Sequence, residues 1–139
     1  MSSPLERLAG PGGPLHAELP DEREIAGLRR SALARLADAR NDVNSLESRF
    51  DLVYNAAHAL SLAALRRCGY RAKNRYVAFQ VLPHTVSVGP EVWRVLAKGH
   101  DIRNVAEYEG EFDVDERIVA DMISACQAVA DRLEGLTTG

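Results

Sequence analysis

The sequence predicts an all-α fold, an antiparallel bundle of four to five helices. Three observations lead there. Four long stretches repeat apolar residues at spacings of three and four, the period of one helix face. Helix punctuation brackets them, with Asp, Asn, Ser or Gly-Pro at the starts and Gly or Asn at the ends. The one strand-like run, Val77 to Leu82, has no second run to pair with, and an isolated strand is unstable.

Residues 1–20 hold four of the six prolines and Gly10, Gly12 and Gly13, a composition that predicts a flexible tail before a bundle domain at 21–139. Asp21 with Glu24 forms a capping box for a first helix over 21–43, whose apolar face is Ile25, Leu28, Ala32, Leu36, Ala39 and Val43. Asn44 or Ser45 opens a second helix that runs to Cys68 and stops at Gly69. Its face of Leu46, Phe50, Val53, Tyr54, Ala57, Leu60, Ala64 and Leu65 is broad and rich in alanine, which marks the central helix of a bundle. His58 interrupts that run and reads as a core histidine.

Asn74 starts a short helix over Val77, Ala78, Val81 and Leu82, with His84 near its end. Gly89-Pro90 opens a fourth helix that Gly110 closes. Asp113 with Glu116 caps the last one, which Gly135 terminates.

Composition narrows the function classes. A chain of 139 residues with 46% hydrophobic residues suits one domain with a real core. The formal charge of -3 predicts no bulk attraction to nucleic acid or anionic lipid, so a polyanion site must be a local patch. Cys68 and Cys126 are far apart in helical segments and read as free thiols in a reducing compartment. No run approaches the roughly 18 apolar residues of a membrane span, and a cytoplasmic protein without a cofactor is the expectation. Histidines 16, 58, 84 and 100 have no metal-ligand spacing, and no phosphate loop, Cys-x-x-Cys or nucleophile elbow is present.

Two stretches carry polar chemistry. In the fourth helix His100, Arg103, Asn104, Glu107 and Tyr108 fall at i, i+3, i+4, i+7 and i+8, one face at about 100° per residue. Val92, Val95, Gly99, Ile102 and Ala106 fall on the neighbouring face. The second is the connection at 66–75, where Arg66, Arg67, Arg71, Lys73 and Arg75 stand without an acid and Tyr70 and Tyr76 are interleaved. Cations that seek phosphate beside aromatics that stack on bases suit RNA, and Arg71, Lys73 and Arg75 are the candidate contacts; a solvated basic helix end is the alternative. The acids Glu107, Glu109, Glu111, Asp113, Asp115, Glu116 and Asp121 are formally opposite to this loop and could meet it within a chain or across a dimer.

The order of three stretches resembles the HEPN superfamily of small α-helical bundles: Phe50-Asp51-Leu52-Val53-Tyr54-Asn55-Ala56-Ala57, then Gly69-Tyr70-Arg71, then Arg103-Asn104-x-Ala106-Glu107-Tyr108. The resemblance spans about residues 21–134. It implies a homodimer and a metal-independent endoribonuclease motif, Arg-x4-6-His, in which Arg103 and Asn104 match and Tyr108 replaces the histidine. A histidine near pKa 6.5 serves as base and acid, whereas a phenol near 10 is only about 0.1% ionised at pH 7. The resemblance therefore implies RNA or nucleotide binding, in a toxin–antitoxin or nucleotidyltransferase-partner setting, more than cleavage. Two alternatives stand beside it: an RNase in which His100 supplies the imidazole, and a non-catalytic helical interaction module.

Overall fold

The computed structural model describes residues 3–110 and 114–138, the side chains of Thr137 and Thr138 apart. Among them the chain is mostly helical. The elements are α1 (Pro4–Leu8), β1 (Leu15–Ala17), α2 (Glu22–Arg40), α3 (Leu46–Arg67), β2 (Tyr70–Ala72), α4 (Arg75–Gln80), α5 (Leu82–Thr85), α6 (Pro90–Glu109) and α7 (Glu116–Thr138).

The helix boundaries follow local chemistry. The side chains of Asp21, Ser45 and Asn74 accept from backbone N–H groups of the first turns of α2, α3 and α4. Gly69 and Gly110 leave α3 and α6 at φ 91° and 71°, a left-handed conformation that glycine adopts without a Cβ penalty. The last helix departs from expectation at both ends. Asp115 accepts from Ile118 N–H at its start, Asp113 lies outside the described residues, and the helix runs past Gly135 to Thr138. At the end of the first long helix, Val43 is 87% exposed rather than packed, because α2 stops at Arg40 and the chain turns there.

Helix α3 is the centre. It packs against α2 and α7, while α6 packs on α7 and α4. Phe50, Val53, Tyr54, Ala57, Leu60 and Ala64 of α3 form one buried cluster with Leu36, Phe79, Leu96, Met122, Val129 and Leu133. A Cβ at Gly99 would stand 2.5 Å from Met122 Sδ, so a larger residue there would require the flexible Met122 side chain to shift.

The N-terminal stretch expected to be a flexible tail is packed over residues 3–20. Strand β1 pairs antiparallel with β2, in register Leu15↔Ala72, His16↔Arg71 and Ala17↔Tyr70. This two-stranded sheet departs from the all-α expectation. Leu5 and Leu15 are buried in a second small core with Leu65, Val77 and Val81, and Leu8, Cys68 and Tyr70 pack against it. The prolines and glycines shape turns between docked apolar residues, so composition misrepresents the segment. No helix among the described residues is long and apolar enough to cross a membrane.

Candidate functional site

The site is centred on a side chain that the sequence marks only as core. Asp51, Tyr54, Asn55 and His58 lie at i, i+3, i+4 and i+7 on α3, one face of that helix. Helix α4 brings Arg75, Tyr76 and Phe79 to it, and α6 brings His100, Arg103 and Asn104. The Tyr54 ring is buried and packs 6.0 Å from Phe79, 6.2 Å from His100 and 6.4 Å from Phe50. Two guanidiniums reach the same ring from different helices, Arg103 at 4.8 Å and Arg75 at 5.7 Å from its centre, within cation–π range.

The His100 ring is held on both nitrogens. Nδ1 is 2.9 Å from the Tyr54 hydroxyl, and Nε2 is 3.2 Å from Asn104 Nδ2. A neutral imidazole has one donor and one acceptor, and an imidazolium has two donors. A hydroxyl can rotate and an exposed amide can turn over, so these partners satisfy the ring in either neutral tautomer and when it is protonated. Tyr76 tilts against His100, 5.8 Å between centroids.

Arg103 is shared with two carboxylates. Its Nη1 donates to Asp51 Oδ1 at 2.8 Å and its Nε to Glu107 Oε1 at 3.3 Å. Arg75 Nη1 donates to Asn55 Oδ1 at 3.4 Å and has no carboxylate partner among the described residues. His58 sits edge-on to Phe79 at 6.1 Å. Burial first, then the charges of Arg75 and His100, lower its pKa to about 4, so His58 is a neutral imidazole at physiological pH.

The structure sorts the residues proposed from sequence. His100, Arg103 and Asn104 converge on Tyr54, and Arg75 joins them from the basic connection. Tyr108 does not join; it is 94% exposed at the far end of α6. Arg71 is directed elsewhere. Its Nη2 donates to Glu18 Oε2 at 2.7 Å and to Glu24 Oε2 at 2.9 Å, so two acids neutralise the connection locally. Lys73 is exposed, its backbone N–H on Pro14 O. Arg66 is 1% exposed and donates to Glu24 Oε1 and to the carbonyls of Glu18, Leu19 and Tyr70. Among the described residues, the acids that meet the basic connection thus come from the N-terminal segment and the start of α2, not from the 107–121 turn. Asp51, Tyr54, Asn55 and His58 complete the site without having been proposed for it, and Tyr76 joins it from the basic connection. The signal for the α3 group was the spacing of Asp51, Asn55 and His58, which share one face of an alanine-rich helix.

Among the described residues, no group of three or more His, Cys, Asp or Glu side chains is placed to hold a metal ion. Comparison with protein-family models, with curated proteins and with solved structures finds no match for the chain.

Proposed function

We propose that this chain is a HEPN-like helical bundle that binds RNA or a nucleotide through the Tyr54–His100 face. The observation that carries the reading is the pair of guanidiniums on one tyrosine ring, with Tyr76 beside His100. Guanidiniums are forks for phosphate oxygens, and an aromatic surface next to them accepts a base. The four long helices and the order of the α3 and α6 stretches support the HEPN-like assignment. A toxin–antitoxin or nucleotidyltransferase-partner setting follows from that assignment.

The test compares two double variants. Arg75→Glu with Arg103→Glu greatly weakens binding of a short single-stranded RNA, measured by fluorescence anisotropy. Arg71→Glu with Lys73→Glu leaves most of it, because neither residue faces Tyr54. Removing two phosphate contacts also lowers the salt slope, by about 0.7 per contact for single strands. Binding that survives the first variant and not the second returns the site to the basic connection. Binding absent from the wild type favours the non-catalytic interaction module.

A second reading, a metal-independent endoribonuclease using His100, is favoured by the bonding of that ring, whose partners tolerate every protonation state. Under it His100→Ala removes cleavage of the RNA, and Tyr108→Phe does not. Exposed Val105 and Tyr108 on α6 support a homodimer through this region, and light scattering then gives twice the 15.2 kDa chain mass.

A further inference from the structure

We propose that residues 3–17 form a regulatory strap, whose docking fixes helix α4 and through it the Arg75 and Tyr76 half of the Tyr54 site. This rests on the binding reading above and names what controls that site.

The two halves of the site have unequal support. Tyr54, His100 and Arg103 stand on α3 and α6, helices of 22 and 20 residues. Arg75, Tyr76 and Phe79 stand on α4, which has six residues. A helix that short is not stable by its own hydrogen bonds, so packing must hold it. Its apolar residues divide between two cores. Phe79 belongs to the main one, with Tyr54 and Leu82. Val77 and the capping Val81, one turn apart, belong to the small one, whose other buried members are Leu5 and Leu15 of the strap and Leu65 of α3.

The chain leading into α4 is tied to the same segment. Ala72 of β2 pairs with Leu15 of β1, and Lys73 N–H donates to Pro14 O at 2.9 Å. Asn74, next in sequence, accepts from Val77 N–H as the cap of α4. Lifting the strap therefore strips one apolar face of α4 and frees the residues just before its cap.

The strap has few anchors. Its strand is three residues long and its buried side chains are Leu5 and Leu15. Elements with so few buried contacts open locally, below the free energy of global unfolding. Arg66 keeps the carbonyls of Glu18 and Leu19, so those residues stay on the bundle as the hinge. The packing of α3 on α2 and α7, and of α6 on α7, does not involve the strap, so Tyr54, His100 and Arg103 stay in place. Coupling is reciprocal: a ligand held by Arg75 and Tyr76 stabilises the docked strap.

The experiment compares the full wild-type chain with Leu15→Ala, and with Leu36→Ala in the main core as a control for general loosening. Amide hydrogen exchange read by NMR follows each helix. In Leu15→Ala the amides of Phe79, Gln80 and Val81 exchange at least about tenfold faster, since truncating a buried leucine costs more than that factor in local stability. Those of α3 and α6 around Tyr54 and His100 keep their wild-type rates. Equal acceleration in α3, α4 and α6, the pattern of Leu36→Ala, overturns the proposal, and so does an α4 as protected as in the wild type. Where Leu15→Ala does not fold, Gly13→Ala replaces it: its Cβ would stand 2.1 Å from Leu8 O, so the turn before β1 must shift. The second readout is binding of the single-stranded RNA. Arg75→Ala weakens it roughly tenfold in the wild type, the loss of one charge-assisted contact. The same change has little further effect in Leu15→Ala, whereas Arg103→Ala costs the same in both backgrounds. An equal cost of Arg75→Ala in both backgrounds overturns the coupling and leaves RNA binding standing. If the wild type binds no RNA, the binding reading falls and the control of that site with it.

Discussion

Two arginine centres in this molecule use the same chemistry for different ends. At one, Arg66 is almost wholly buried and its guanidinium is filled by the carboxylates of Glu18 and Glu24 and three backbone carbonyls. At the other, Arg103 is a quarter exposed and its carboxylate partners stand mostly in water. The first guanidinium cannot change partners without leaving a buried charge unpaired. The second is open to exchange. Burial of the guanidinium itself, more than the presence of arginine or the number of ion pairs, separates the two centres.

The Arg66 centre joins three parts of the chain. Its carbonyl partners on Glu18 and Leu19 lie just after β1, and Tyr70 begins β2. Arg71 adds its own bonds to Glu18 and Glu24. The N-terminal segment is thereby held to the ends of α2 and α3 by charge as well as by Leu5 and Leu15.

The largest effect expected of a single change is at Arg66. Arg66→Ala lowers unfolding stability by about 2–5 kcal/mol, because it opens a cavity where a fully buried side chain stood and removes the donor shared by two carboxylates and three carbonyls. Arg103→Ala costs no more than about 1 kcal/mol, the range of an exposed pair and a cation–π contact. Urea unfolding of both variants measures the difference, and equal losses would erase the distinction between the two centres.

Acid sharpens the same comparison through a smaller effect. The pKa of His58, beside Tyr54, is lowered from 6.5 to about 4, so between those values the unfolded chain binds more protons than the folded one. Stability is therefore fully present above pH 6.5 and falls as the pH drops towards 4. At the Arg66 centre, Glu18 is held below its ordinary 4.5 chiefly by its hydrogen bond from Arg71, and Glu24 by those from Arg66 and Arg71. Their contribution is present above pH 4.5 and is lost only as the pH falls below it, through the folded values. Weakening thus begins at the Tyr54 side. Urea midpoints followed from pH 7 to 3 show a decline between 6.5 and 4 that His58→Leu flattens. Glu24→Gln lowers the neutral-pH midpoint and removes part of the drop below 4.5. A His58→Leu profile parallel to the wild type would mean that His58 is not held neutral.

The two cysteines follow the division between buried and accessible groups. Burial pushes the Cys126 thiol up to about 12, and the half-buried Cys68 thiol is also raised, by burial against the opposing charge of Arg67. Neither is a thiolate at neutral pH, so neither offers a reactive nucleophile.

Local physics was legible in the sequence wherever one residue decides its own surroundings. The caps Asp21, Ser45 and Asn74, the left-handed Gly69 and Gly110, the apolar faces of α2 and α3 and the one-sided stripe of His100, Arg103 and Asn104 all follow from side-chain chemistry and a 3.6-residue period. Tertiary structure decided what depends on pairing between distant segments. Three-residue strands carry too little pattern to announce the pairing of β1 with β2. Charge counts along residues 66–75 could not show that Glu18 and Glu24 neutralise Arg71, nor that Arg75 leaves its neighbours for Tyr54. Tyr54 is the clearest case. Its spacing made it a core residue, which it is, but only the crossing of α3, α4 and α6 puts two guanidiniums and an imidazole on that one ring, and no sequence period encodes where helices cross.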